Sequence, residues 1–181
     1  MTTTLPNPQA PLSRVFLRRP YFHLYGEDGS LYMGRWWAFG GSHPERDDRD
    51  DAQRTWKRHA LDSRIGKFVA GRLHLLARED RARDNHTHPA DFISFVLWGW
   101  YKEKRPLDQK QHAGLDDTHY TVTHRRMFSI AYRRAEDRHT IIEVSEGGCW
   151  TFVIWFRKGK TWGFWNKQNE FIPWKQYLGL P

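Results

Sequence analysis

The amino-acid sequence predicts an all-β domain built as a sandwich or barrel. Three observations predict it. The chain breaks into a succession of short runs rich in β-branched and aromatic residues, each bounded by turn-forming residues. Aromatic residues are 15% of the 181 positions and ten of them are Trp, so much of the buried area must be ring surface. The run Cys149-Trp-Thr-Phe-Val-Ile-Trp-Phe156 carries large apolar residues on both faces. A sheet buried on one side only would alternate more cleanly, so this strand needs a covering segment or a subunit interface on its outer face.

The elements follow in order. Residues 1–13 are rich in Thr, Pro and Asn and read as a flexible arm. Pro20–Tyr25 and Leu31–Trp37 read as a hairpin closed by the turn residues of Gly26–Ser30. Gly40 to Asp51 is a charged loop, and the Ala, Gln, Arg and Lys content of Asp51–Leu61 favours a short helix. Strands are expected at Lys67–Ala77, Phe92–Lys104, Tyr120–Arg125, Met127–Tyr132, His139–Ser145, Cys149–Arg157 and Thr161–Trp165. Pro173–Gly179 closes the chain as a helical turn. The organisation is one domain over 14–181 behind the arm. Residues 14–66 pack on the barrel, 67–166 form its core, and 167–181 form the C-terminal turn.

Composition bounds the function classes. The formal net charge of +8 suits a phosphate, carboxylate or nucleic-acid ligand by Coulomb steering, and also an ordinary solvated surface. The basic clusters are Lys102–Arg105, Arg125-Arg126, Arg133-Arg134 and Arg157–Lys160, and no helix-turn-helix, zinc-finger or RNA-recognition pattern accompanies them. The longest apolar run, Phe92–Tyr101, is too short to span a bilayer, so no membrane partner is expected. The single cysteine, Cys149, and a start lacking the basic and apolar regions of a secretory signal make the cytoplasm the expected location.

The most informative stretch is His86-Thr-His-Pro-Ala-Asp91, directly ahead of an apolar strand. In extended chain, residues two apart share a face, so the imidazoles of His86 and His88 can converge. Imidazole is the commonest protein ligand for a transition metal, and His139, opening a later strand, can supply a third nitrogen.

These residues resemble the first and second motifs of the cupins, the first matched by His86, His88, Asp91 and Gly99 and the second by His139. The resemblance is nearest to the small uncharacterised cupins of phage and bacterial genomes. It extends to Arg35-Trp36-Trp37, Leu73-His74, the spacing from Arg134 to His139, Cys149-Trp150-Thr151 and Trp162-Gly163-Phe164, and covers residues 20–179. There are two departures. The usual acid falls where this chain has Phe92 or Ile93, so Asp91 is one residue early and on a regular strand would face away unless Pro89 breaks the register. The second motif lacks the Pro-x-Gly turn and has Arg134–Arg138 instead.

The resemblance implies a double-stranded β-helix, the cupin jelly roll, with an N-terminal hairpin and one or two short helices. It implies a mononuclear site for a divalent transition metal (Fe, Mn, Ni or Zn) on His86, His88, His139 and Asp91. His74 and Glu143 are the candidate catalytic groups, His74 as a proton-transfer group or further ligand. Glu143 is a candidate because even spacing from His139 would turn it inward. Arg134 is the candidate anion clamp and Trp98 a candidate pocket wall. The expected function is a metal-dependent enzyme performing oxygenation, decarboxylation or isomerisation on a small anionic substrate, with a modified nucleotide or DNA base as one variant. The alternative is a non-catalytic cupin binding a sugar, nucleotide or DNA, and a homodimer is the expected assembly if the outer face of Cys149–Phe156 is an interface.

Overall fold

A computed structural model describes residues 24–25, 29–39, 68–80, 84–108, 119–158, 161–166, 168 and 170–177. The expected N-terminal arm, the charged loop and the Asp51–Leu61 helix lie outside the described residues.

Sequence runs with period-two alternation become antiparallel strands. In chain order these are β1 (Leu24–Tyr25), β2 (Leu31–Phe39), β3 (Ala70–Leu76), β4 (Asn85–His86), β5 (Ala90–Trp98), β6 (Tyr101–Pro106), β7 (Tyr120–Arg125), β8 (Ile130–Arg133), β9 (Thr140–Val144), β10 (Cys149–Lys158), β11 (Gly163–Trp165) and β12 (Phe171–Pro173). One short helix, α1 (Trp174–Tyr177), follows. β1 and β2 form the expected hairpin, with Leu24 opposite Met33. The strands make a six-stranded sheet in the order β1-β2-β3-β10-β5-β8 and two three-stranded sheets, β7-β6-β9 and β12-β11-β4.

The core lies between the large sheet and β6–β9. Leu76, Val96, Tyr101, Ile141 and Cys149 form it, with Met33 and Val144 packed against it. These residues come from β3, β5, β6, β9 and β10, so non-local packing holds the two layers together. β5 shows the alternation most clearly: Ala90, Phe92, Ser94 and Val96 are buried, and the residues between them are only partly covered.

β10 has both faces occupied, as its sequence requires. Inward are Cys149, Thr151 and Val153, all buried. Outward, Trp150 stacks on Trp36 at 5.3 Å between ring centroids, and Phe152 meets Phe39 at 6.5 Å. The N-terminal hairpin therefore covers the outer face by joining the sheet and leaning its rings over β10. Gly71 makes this possible, because a Cβ there would lie 2.4 Å from the Phe39 ring.

The expected single strand over 92–104 is two strands. Gly99 adopts φ 75°, and a Cβ there would lie 2.6 Å from both the Gly148 carbonyl oxygen and Ser145 Oγ. The apolar run continues through this position, but a tight turn at Gly99 folds β6 away from β5.

Candidate metal centre

The His86-Thr87-His88 segment is extended and held from both sides. His86 exchanges backbone hydrogen bonds with His139, its N–H donating to the His139 carbonyl at 2.9 Å and its carbonyl accepting from the His139 N–H at 3.2 Å. The Thr87 N–H donates to the Gly163 carbonyl at 2.9 Å, and the His88 N–H to the Ala135 carbonyl at 2.8 Å. Alternation does the rest. Thr87 turns its hydroxyl away to the Gly163 backbone, while His86 and His88 share the opposite side with their ring centroids 5.0 Å apart. The His139 ring lies 4.6 Å from His86 and 4.9 Å from His88. A ligand atom from each of the three lies within 4.8 Å of the other two.

A buried carboxylate fixes which nitrogen His139 offers. Glu103, on β6, is 1% exposed, and its Oε2 lies 3.2 Å from His139 Nδ1. An ionised carboxylate only accepts, so Nδ1 carries the proton and His139 Nε2 is left with its lone pair. Asp80 Oδ2 stands 3.4 Å from His86 Nδ1, an electrostatic contact on that side of the ring. Asp80 is itself held by Tyr32 Oη and by the Ile141 N–H at 2.7 Å. Glu103 Oε1 accepts from Arg125 Nε at 2.8 Å and Nη2 at 2.7 Å, and from Arg133 Nη2.

His88 Nε2 faces His139 Nε2 at 2.8 Å. Two imidazole nitrogens at this distance need a proton or a cation between their lone pairs, and two ligands of one ion meet that requirement. Electrostatics favour the neutral forms of His86 and His88. Burial lowers the pKa of His86 to about 4, against the opposing pull of Asp80. Burial, followed by the neighbouring His139, His86 and Arg133, lowers that of His88 well below its usual value. Burial alone would raise the pKa of Glu103, but the hydrogen bond and charge of His139 and the charges of Arg133 and Arg125 outweigh it and bring the value to about 2. Three converging imidazoles backed by carboxylates are a donor set suited to a divalent transition metal.

Of the other sequence candidates, His74 is near enough to His88 to act on its charge and the rest lie elsewhere. His74 is buried on β3 with Nε2 unpartnered, and burial together with Arg72 and Arg35 lowers its pKa well below the usual value. Asp91 alternates with the buried Ala90 and Phe92 and lies on the other face of β5. Its Oδ1 accepts from the Ala135 N–H at 2.7 Å, so it pins the turn leading to His139 and stands outside the three-histidine group. Glu143 points outward and pairs with Lys102 Nζ at 2.6 Å. The even-spacing argument fails there because β9 carries a bulge: Lys102 opposes Glu143 and Glu103 opposes Ile141, leaving Ile142 extra. Arg134 is exposed at a turn, its N–H donating to Asp137 Oδ2 at 3.1 Å. Trp98 is 52% exposed at the far end of β5 from His88, on the order of 25 Å along the strand. Asp80, Glu103 and Arg133 were not among the sequence candidates. Glu103 and Arg133 sit inside runs that read as basic surface clusters, and only inward parity with Tyr101 marks Glu103 as buried.

No family model and no curated protein matches the sequence. Solved structures do resemble it. A variant of Bacillus subtilis oxalate decarboxylase aligns with a TM-score of 0.50 and 10% identity, over 88% of this chain and 31% of that one. The fold is the cupin jelly roll. Lower-scoring likenesses are Fe(II) HppE, with a TM-score of 0.47, 11% identity and coverage of 86% and 61%, and hydroxypropylphosphonic acid epoxidase from S. wedmorenis, with 0.42, 8%, 76% and 55%. The chain thus spans less than two thirds of each of these proteins.

Proposed function

We propose that this cupin-fold chain is a metal-dependent enzyme acting on a small anionic substrate, by oxygenation, decarboxylation or isomerisation. The observation that carries the reading is the orientation of the rings: His139 and His86 have Nδ1 against carboxylates, and Nε2 of His139 meets Nε2 of His88. His86, His88 and His139 would hold the ion. Three imidazoles leave coordination positions open, and a metal there would supply Lewis acidity toward a substrate oxygen or a site for dioxygen chemistry.

The protein's own groups have definable tasks. Glu103 holds the His139 tautomer, Asp80 stands against His86, and Arg133 and Arg125 keep Glu103 ionised. Phe92 and Trp155 pack beside His88, at 4.6 and 6.0 Å between centroids, and exclude water from that side. His74, buried and with an unpartnered Nε2, is the proton-transfer candidate. The net charge of +8 favours an acidic substrate, and a nucleotide is the variant that charge supports best.

The test is turnover. Protein reconstituted separately with Fe(II), Mn(II), Ni(II) and Zn(II) is incubated in air with small carboxylates, phosphonates and nucleotides, following dioxygen uptake, carbon dioxide release and product masses. Turnover abolished by His88→Ala supports the enzyme. A metal-loaded protein that binds members of the set without converting any would leave the non-catalytic alternative.

A further inference from the structure

The inner face of β6 and β7 continues beyond Glu103. Tyr101 and Glu103 are buried and inward, so Arg105, two residues on, lies on the same face about 7 Å further along the strand. β7 pairs in register, with Arg125 opposite Tyr101, Thr123 opposite Glu103 and Thr121 opposite Arg105. Arg125 reaches to Glu103, which places the half-buried Thr123 and the exposed Thr121 on the same face of β7.

A cavity of about 180 Å³ opens here, lined among the described residues by Arg105, Pro106, Leu107, Thr121 and Thr123. Its polar lining is a guanidinium and two hydroxyls. Arg105 Nε is buried without a hydrogen-bond partner. Its Nη2 lies 3.6 Å from Asp137 Oδ2, beyond hydrogen-bond range, and that oxygen already accepts the Arg134 N–H. Charge leans the same way: Arg105, Arg125 and Arg133 share this region with Glu103 and Asp137, three positive groups against two negative.

We infer that Arg105, Thr121 and Thr123 form an oxyanion subsite that seats the carboxylate or phosphoryl group of a small acid. An oxyanion would satisfy the stranded Nε and take the guanidinium fork together with one or both threonine hydroxyls. Glu103, one inward position before Arg105 on β6, touches His139 on the Nδ1 side and so stands between this subsite and the three-histidine centre. This assignment goes beyond the proposed metal enzyme and stands apart from it. The subsite itself needs no metal.

The test uses the full-length protein, treated with EDTA so that the anion cannot report on a metal. Titrations with inorganic phosphate and with acetate at low ionic strength are followed by calorimetry. One of the two probes should saturate: phosphate assigns a phosphoryl head group and acetate a carboxylate. Arg105→Ala should weaken that binding at least tenfold and Thr123→Val several-fold. Asp137→Asn, which removes the competing carboxylate, should tighten it several-fold. Neither probe saturating the wild type would overturn the subsite, as would unchanged affinity in both Arg105→Ala and Asp137→Asn. Asp137→Asn keeps the test decisive if Arg105→Ala does not fold. Equilibrium dialysis of the wild type against Zn(II) and Mn(II) separates the two readings. Metal uptake without anion binding removes the subsite alone, and anion binding without metal uptake removes the metal enzyme alone.

Discussion

Glu103 is 1% exposed among two guanidiniums and an imidazole, so its charge is held by its partners and by little water. Removing it strands Arg133, itself 4% exposed, with an uncompensated buried charge. Glu103→Ala should therefore cost on the order of 3–5 kcal/mol in urea unfolding, whereas Glu143→Ala, which breaks only an exposed pair, should cost about 1 kcal/mol or less. The conservative Glu103→Gln should weaken metal binding by roughly 10–100-fold through loss of the fixed His139 tautomer, and an equal affinity would show that the carboxylate does not orient the ring. At this scale the legible residues are those governed by local geometry. His86 and His88 share a face because alternation is a property of any extended chain, and Asp91 faces away for the same reason. Glu143 was misread because the bulge at Ile142 is made by pairing with β6, which local spacing does not report. Glu103 was hidden because Lys102–Arg105 carries the charge pattern of a surface, and only its long-range partners show that one member is inward.

The elements were legible where apolar patterning is long. β7 has its expected bounds, and the predicted strands around β3, β9 and β10 lie within a few residues of the observed ones. The two-residue β4 and the three-residue β12 carry too little pattern to announce themselves, and the hydrogen bonds of β11 define them. The turn between β5 and β6 is the instructive miss. Its apolar residues run on unbroken, and only Gly99 with its positive φ separates the strands. Gly99→Ala should cost about 1–3 kcal/mol in thermal or urea unfolding, because it adds strain at positive φ and contacts of 2.6 Å with Gly148 O and Ser145 Oγ. Gly29→Ala also places a side chain at positive φ but meets nothing within 4 Å, so its loss should be smaller, about 1 kcal/mol. Equal losses at the two positions would show that the close approach at Gly99 contributes nothing.

For the whole molecule, the buried site predicts sensitivity to acid in the metal-free state. In the unfolded chain His86 and His88 take up protons near pH 6.5. Folded, His86 stays neutral down to about pH 4 and His88 is shifted in the same direction. The unfolded state therefore binds more protons as pH falls through this window, and stability must decline with it. Glu103 adds a second loss below about pH 4.3, where its unfolded counterpart protonates while the folded group holds out to about 2. Urea midpoints in EDTA should thus be level above pH 7 and fall steadily toward pH 4, and a flat profile would contradict the burial of the histidines. Fold class was legible from the many short strands. The convergence of two separate segments on one point was legible from His139 opening a later strand and from the resemblance between motifs, while the bridge that joins His86 to His139 is a long-range pairing that no local rule gives.

The central claim is that His86, His88 and His139 bind one metal ion, and elemental analysis of untagged protein measures it directly. The wild type should carry, or take up by dialysis, close to one equivalent of a divalent transition metal. His88→Ala should lose it while keeping the wild-type far-ultraviolet circular dichroism. A folded wild type that neither carries nor takes up any metal, or a His88→Ala protein that retains the full equivalent, would contradict the account.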